Sequence, residues 1–120
     1  PYFSVNGKRA MTAAEWDRMR AKFHCAFGVN NVWSAPPVRG VERLKAVGAK
    51  CLHANQKPLS LLELTIRAAT DEGDMVWDPF GGLCSVSIAA RRLGRRAMSA
   101  ETERTFFLAA CDRLASDDAI

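Results

Sequence analysis

The sequence predicts an α/β fold in which parallel strands are joined by crossover helices, and three observations carry that prediction. A short apolar run, Met75-Val76-Trp77, ends on Asp78 and passes through Pro79-Phe80-Gly81-Gly82 into a helix of small residues. A second short strand follows that helix and ends on another acid, Glu101. From residue 57 onward the order reads helix, strand, helix, strand, helix, and strands separated by a helix pair in parallel. Met75 to Glu101 is thus a β-turn-α-β unit with the turn chemistry of a nucleotide-type cofactor site. Its glycines let backbone approach a ligand closely, and an acid roughly 20 residues beyond such a turn can take a ribose hydroxyl pair.

The elements before this unit are less regular. Tyr2 to Val5 reads as a strand followed by the turn dipeptide Asn6-Gly7. Thr12-Ala13-Ala14-Glu15 has the capping-box pattern, a hydroxyl at the N-cap and a carboxylate at N3, and predicts a helix through about Phe23. Trp16, Met19 and Phe23 recur at steps of three and four residues, so they form one face, read as core packing. From Gly28 to Lys57 the chain turns irregular, and Pro36-Pro37 rules out helix there. Arg39, Arg43, Lys45 and Lys50 lie along this stretch, where a nucleic-acid contact and ordinary solvated loop charge are equally open.

The later elements have clearer signals. Pro58 fits the first turn of a helix running from Leu59 to about Thr70, with Leu62, Ile66 and Ala69 on one face. Asp71-Glu72-Gly73-Asp74 ends it and leads into the Met75 strand. After Glu101, Thr102 is placed to cap a last helix whose Phe106, Ala110 and Leu114 form a buried stripe.

Composition narrows the function classes. A chain of 120 residues is one domain at most, with ordinary apolar (48%) and charged (25%) shares for a globular protein. No apolar run approaches the ~20 residues of a membrane span, and nothing resembles a signal peptide. The four cysteines, Cys25, Cys51, Cys84 and Cys111, are widely spaced without a C-x-x-C, which suggests reduced thiols in a cytoplasmic protein. His24-Cys25 and Cys51-Leu52-His53 match no standard zinc spacing, so no metal is expected. The net charge of +4 suits a polyanion partner without requiring one. Arg91-Arg92 and Arg95-Arg96 read as cations complementing a helix C-terminus in preference to phosphate contacts. The chain opens on Pro1 within strand-like sequence, as a piece of a longer protein or a processed product would.

The Asp78 turn lies at the carboxyl end of a strand, where open α/β sheets bind ligands. The helix after it, opened by Cys84, Ser85 and Ser87, presents free N–H groups to an anion. Asp78 would repel a pyrophosphate but suits a cofactor that carries a cation. The run is not G-x-G-x-x-G and contains no G-K-S/T, which weakens a dinucleotide site and excludes a P-loop. A purely structural tight turn stays open on these residues alone.

Asp74-Met75-Val76-Trp77-Asp78-Pro79-Phe80-Gly81-Gly82 resembles motif I of the amino-group DNA methyltransferases, D-x-V-x-D-P-F-x-G-S-G-T-T. Upstream, His53-x-x-Gln56-Lys57-Pro58 is similar to the H-x-x-Q-K-P signature, motif X, which precedes motif I in the β arrangement of that family. Leu93-Gly94-Arg95-Arg96, Glu101, Phe106 and Arg113-Leu114 continue the pattern, so the likeness covers about half of the chain, Cys51 to Ala115.

The resemblance implies a partial Rossmann-like methyltransferase fold and S-adenosyl-L-methionine as cofactor. It implies that the cofactor lies beside Asp78, Pro79, Phe80, Gly81 and Gly82, at the helix opened by Ser85, with Glu101 on the ribose hydroxyls. Gln56, Lys57 and Pro58 would line the methionine end, and His53 would be a pocket wall or loop-fixing residue. Residues 51–120 are then the cofactor-binding portion. Residues 1–50 form a helix plus an irregular, DNA-contacting segment by analogy with recognition segments.

Two departures matter. Leu83-Cys84-Ser85-Val86 replaces S-G-T-T, which puts the loop's path in question. The D/N/S-P-P-Y/F/W motif that polarises the target amine is absent, since the only Pro-Pro is Ala35-Pro36-Pro37-Val38. No catalytic residue is therefore expected in this chain. The reading is the cofactor-binding part of a DNA methyltransferase of a restriction-modification type. Its partners are DNA through the full enzyme, and either the missing catalytic half or a second copy. The alternatives are a non-catalytic S-adenosylmethionine-binding or assembly module and, less well supported, a Rossmann-like oxidoreductase.

Overall fold

The computed structural model describes residues 4–5, 9–19, 32–48 and 51–117. It opens with an antiparallel pair, β1 (Ser4–Val5) against β2 (Arg9–Ala10). The Asn6-Gly7 turn lies outside the described residues. α1 (Ala13–Met19) comes next, entered through the expected reciprocal cap. Thr12 Oγ1 accepts the Glu15 N–H at 3.2 Å, and the Glu15 carboxylate accepts the Thr12 N–H at 2.9 Å. The same carboxylate takes two bonds from the Arg9 guanidinium, at 2.8 and 2.6 Å, which ties β2 to α1. The stretch up to Phe23 lies outside the described residues. Trp16 is 40% exposed rather than packed in a core, because among the described residues no element packs broadly on α1.

Residues 32–48 are irregular apart from a single 3-10 turn at Gly40–Glu42. Glu42 and Gln56 fasten this segment to the downstream chain. Gln56 Nε2 donates to the Glu42 carbonyl at 2.6 Å, and its Oε1 accepts the Leu44 N–H at 3.1 Å. Glu42 Oε1 accepts the Leu59 N–H at 2.8 Å, capping α2 (Leu59–Ala69) from 17 residues away. Pro58, with φ −62° and ψ 134°, stands just before the first helical residue and offers no side-chain cap, so the glutamate supplies it. The α2 core face runs Leu59, Leu62, Ile66. Ala69 was expected on it, but Ala68 is the buried alanine, and Ala69 sits exposed at the helix end.

β3 (Met75–Asp78) and β4 (Arg96–Ser99) pair in parallel, Met75 with Arg96 through Asp78 with Ser99, across the crossover helix α3 (Ser85–Arg92). Val76 and Ala97 point to one face and meet Ile66, Ala89, Ala90, Val86 and Leu93. Small residues at 89 and 90, both fully buried, let α3 lie close on the strands and on α2. Among the described residues no element covers the opposite sheet face, where Met75, Trp77 and Met98 are 47%, 54% and 57% exposed.

α4 (Arg104–Asp117) completes the described chain. Glu103, rather than the expected Thr102, caps it: the Glu103 carboxylate accepts the Thr105 N–H at 3.2 Å. Of the expected stripe only Ala110 is buried, while Phe106 and Leu114 are half-buried. Of the two arginine pairs expected to complement a helix end, Arg95 is the one whose bonds close a helix. Arg95 donates to the Thr70 carbonyl at 2.7 Å and the Thr70 hydroxyl at 3.1 Å, closing the end of α2. Arg96 reaches the Gly73 carbonyl at 3.2 Å, and Arg92 pairs with Asp117. No helix among the described residues is long and apolar enough to cross a membrane.

Candidate functional site

At the end of β3, Asp78 Oδ1 accepts the Phe80 N–H at 3.0 Å, folding the Pro79-Phe80 corner through the aspartate's own side chain. The next two glycines answer to different constraints. Gly81 donates to the Ala100 carbonyl at 2.8 Å, and a Cβ there would lie 2.9 Å from the Ser99 Cβ and 3.2 Å from that carbonyl oxygen. Gly82 has φ +54°, the left-handed region. Cys84 shares that φ of +54° although it carries a side chain, and it forms the N-cap of α3 without any side-chain cap. This is where the motif I pattern has glycine, so the departure seen in the sequence falls on a strained position. The Cys84 thiol is buried, and desolvation pushes its pKa up, which disfavours a reactive thiolate.

Glu101 closes the turn from the β4 side. One carboxylate oxygen accepts the Gly82 N–H at 2.8 Å and the other accepts the Glu103 N–H at 2.8 Å. These backbone donors, Glu103's foremost, hold the carboxyl below the usual carboxylate range. A carboxylate has about four acceptor sites, so acceptor capacity is left for a ligand hydroxyl.

The 53–58 segment forms the opposite wall. His53 Nδ1 accepts the Asn55 N–H at 3.1 Å, and its ring meets Phe106 edge-to-face at 4.5 Å. Its Nε2 would lie 3.7 Å from a Cβ on Gly82, so the imidazole lies against the turn. Gln56 is buried with its amide spent on Glu42 and Leu44, which makes it a strut for the segment. Lys57 is exposed, its Nζ donating to the Asn55 carbonyl at 3.1 Å.

Between these walls lies a cavity of about 340 Å³. It brings together nine of the eleven expected residues, His53, Gln56, Lys57, Asp78, Phe80, Gly81, Gly82, Ser85 and Glu101, with Pro58 and Pro79 outside its lining. The volume lies in the range of small-ligand clefts. Asn55, Leu62, Leu83 and Val86 complete the lining; Leu83 and Val86 belong to the stretch that replaces S-G-T-T, whereas Asn55 and Leu62 were not singled out as site residues. Arg113 stands out in the sequence only as continuing a pattern. Its Nη1 reaches the Leu83 carbonyl at 2.9 Å and Ser85 Oγ at 2.8 Å, a link across about 30 residues that no local spacing reveals.

A larger hollow of about 540 Å³ opens between α4 and the α3–β4 pair, among Ser87, Ala97, Phe107, Ala110, Cys111 and Leu114. Two of the arginines on its rim, Arg95 and Arg96, are committed to Thr70 and Gly73. Glu101 lines both hollows, but Asp78, Ser85 at the N-terminus of α3 and the His53–Lys57 wall line only the smaller one, which makes it the stronger site. Among the described residues no group of three or more His, Cys, Asp or Glu could hold a metal ion.

The family model described as DNA methylase matches residues 11–112. The chain is 32% identical over 113 residues to the Type II methyltransferase M2.DpnII of Streptococcus pneumoniae, covering 94% of this chain and 40% of that protein. It is 28% identical over 109 residues to the Type II methyltransferase M2.LlaDCHI of Lactococcus lactis subsp. cremoris, covering 91% and 38%. Among solved structures it is similar to the M1.HpyAVI–SAM complex, with 28% identity, a TM-score of 0.57, and coverage of 78% of this chain and 43% of that one. The chain thus spans about two-fifths of the length of the curated relatives it matches.

Proposed function

The chain belongs to the DNA methylase family, and on that premise we propose that it is the S-adenosylmethionine-binding portion of an amino-group DNA methyltransferase. The observation that carries the reading is the convergence of Asp78, Glu101, the N-terminus of α3 and the His53–Lys57 wall on one cavity. The similar M1.HpyAVI structure is a complex with that cofactor.

Each group has a task that its chemistry suits. Asp78, an acid at the strand end, offers negative charge to the sulfonium. Glu101, its carboxyl held below the usual range by backbone donors, accepts from the ribose hydroxyls. The amides opening α3 face the methionine carboxylate. His53, Gln56, Lys57 and Phe80 shape the walls, while Pro58 and Pro79, outside the lining, fix the course of the chain beside it. The donor supplies the methyl group, and these side chains hold and orient it.

The acceptor amine would be that of adenine or cytosine in DNA. The residues that polarise it are supplied by a further portion of the enzyme, on the same chain or another. Residues 1–50 are read as a DNA-contacting segment, and the type II methyltransferase relatives suggest a restriction-modification setting. A DNA substrate and free thiols at Cys51, Cys84 and Cys111 suit the cytoplasm.

Calorimetric titration of the chain with S-adenosylmethionine tests this. Binding that Asp78→Ala abolishes and the exposed-site control Val47→Ala spares is the expected result. Absence of heat at millimolar ligand contradicts it.

A further inference from the structure

We propose that Arg113 is a positioning residue for cofactor capture: its bond to Ser85 turns that hydroxyl into a donor aimed at a ligand carboxylate. This rests on the adenosylmethionine reading of the cavity. Ser85 is the first residue of α3, is buried, and lines the cavity beside Gly82. Arg113 lies on α4 outside that lining and approaches from behind.

A guanidinium has donors only, so at 2.8 Å it must occupy a lone pair of Ser85 Oγ. Among the described residues the Ser85 hydroxyl donates to nothing. Its proton is therefore left for the open side, the cavity. The second Arg113 bond, to the Leu83 carbonyl at 2.9 Å, holds the backbone on the other side of Cys84. The left-handed Cys84 is thus bracketed by one guanidinium gripping residues 83 and 85, at a point where the chain lacks the pattern's glycine.

Placing a cation near a helix N-terminus opposes the macrodipole. Burial also pulls the Arg113 pKa down, against the opposing pull of the Glu42 and Asp117 carboxylates. On the cavity side the Ser85 proton and the free amides of the first turn, with the guanidinium charge behind them, favour a carboxylate. The class of ligand selected is therefore one carrying a carboxylate at that end, as S-adenosylmethionine does.

The test is a set of titrations with S-adenosylmethionine and with its decarboxylated analogue. Arg113→Met is expected to weaken the carboxylate-bearing ligand about tenfold, the size of one lost charge-assisted hydrogen bond, and the decarboxylated one less than about twofold. Ser85→Ala should reproduce that selectivity, and the double variant should lose no more than either single one. Arg113→Lys should recover part of the loss.

Equal weakening of both ligands by Arg113→Met would make the arginine a merely structural tie and overturn the proposal. A Ser85→Ala chain with unchanged preference between the ligands would do the same, and that comparison decides the matter if Arg113→Met does not fold. Failure of the unsubstituted chain to bind either ligand overturns the adenosylmethionine reading itself. That result is distinct from binding without carboxylate selectivity.

Discussion

Gly81, Gly82 and Cys84 occupy three neighbouring positions with three different physical limits. Gly81→Ala would drive a Cβ to 2.9 Å from Ser99 and is expected to cost about 1–3 kcal/mol by overpacking. Gly82→Ala meets only ordinary contact with His53 but forces a side chain to φ +54°, for about 1 kcal/mol. Cys84→Gly removes buried thiol packing yet relieves the same strain, so the two effects offset and stability should change by less than about 1 kcal/mol. Thermal denaturation of the three variants checks this order, and a Cys84→Gly chain as damaged as Gly81→Ala would contradict it. The glycine pair was legible as a special turn because Gly-Gly after Asp-Pro-Phe has few other uses. Which glycine needs contact space and which needs positive φ depends on Ser99 and Ala100, on a different strand, and could not be read locally.

Helix starts show the same division between local and distant causes. The Thr12–Glu15 box is local chemistry, read correctly from four residues, and its acid is held by Arg9 first and Thr12 second at a pKa of about 2, against an ordinary 4.5. A carboxylate depressed in the folded state adds stability above its unfolded pKa and loses it as pH falls through the folded one. The stability gap between the parent and Glu15→Gln should therefore be present at pH 7 and close between about 4.5 and 2. Thermal melts across that window test it, and a gap independent of pH would contradict the assignment. By contrast α2 is capped by Glu42 from 17 residues upstream, a partner that Pro58 conceals in the sequence. Replacing Gln56 with Ala strands the Glu42 carbonyl and the Leu44 N–H together, and denaturant unfolding should record a loss of about 1–3 kcal/mol. Thr102 was expected to cap α4 because hydroxyls usually do. Glu103 takes the role because its own N–H is already gathered by Glu101, which sets the entry angle.

At the scale of the molecule, helix–strand alternation after residue 57 sufficed to predict parallel pairing, since β3 and β4 cannot be joined by a hairpin across α3. Which members of the α4 stripe are buried was not legible, since periodicity within the helix does not separate Ala110 from the half-buried Phe106 and Leu114. Among the described residues Met75, Trp77 and Met98 form a bare sheet face, and Phe107 and Leu108 add half-exposed apolar surface on α4. A chain that spans two-fifths of its relatives' length with such a face is expected to associate, with a second copy or with the remainder of an enzyme. Sedimentation should show concentration-dependent association that Trp77→Lys weakens, and a high-melting monomer at all concentrations would contradict this. The central claim remains the cavity between Asp78 and Glu101. Amide chemical-shift mapping on the labelled chain with S-adenosylmethionine tests it most directly. The account predicts the largest saturable shifts at Gly81, Gly82, Ser85 and Glu101. Shifts confined to the Cys111 side of α4, or none at millimolar cofactor, would contradict it.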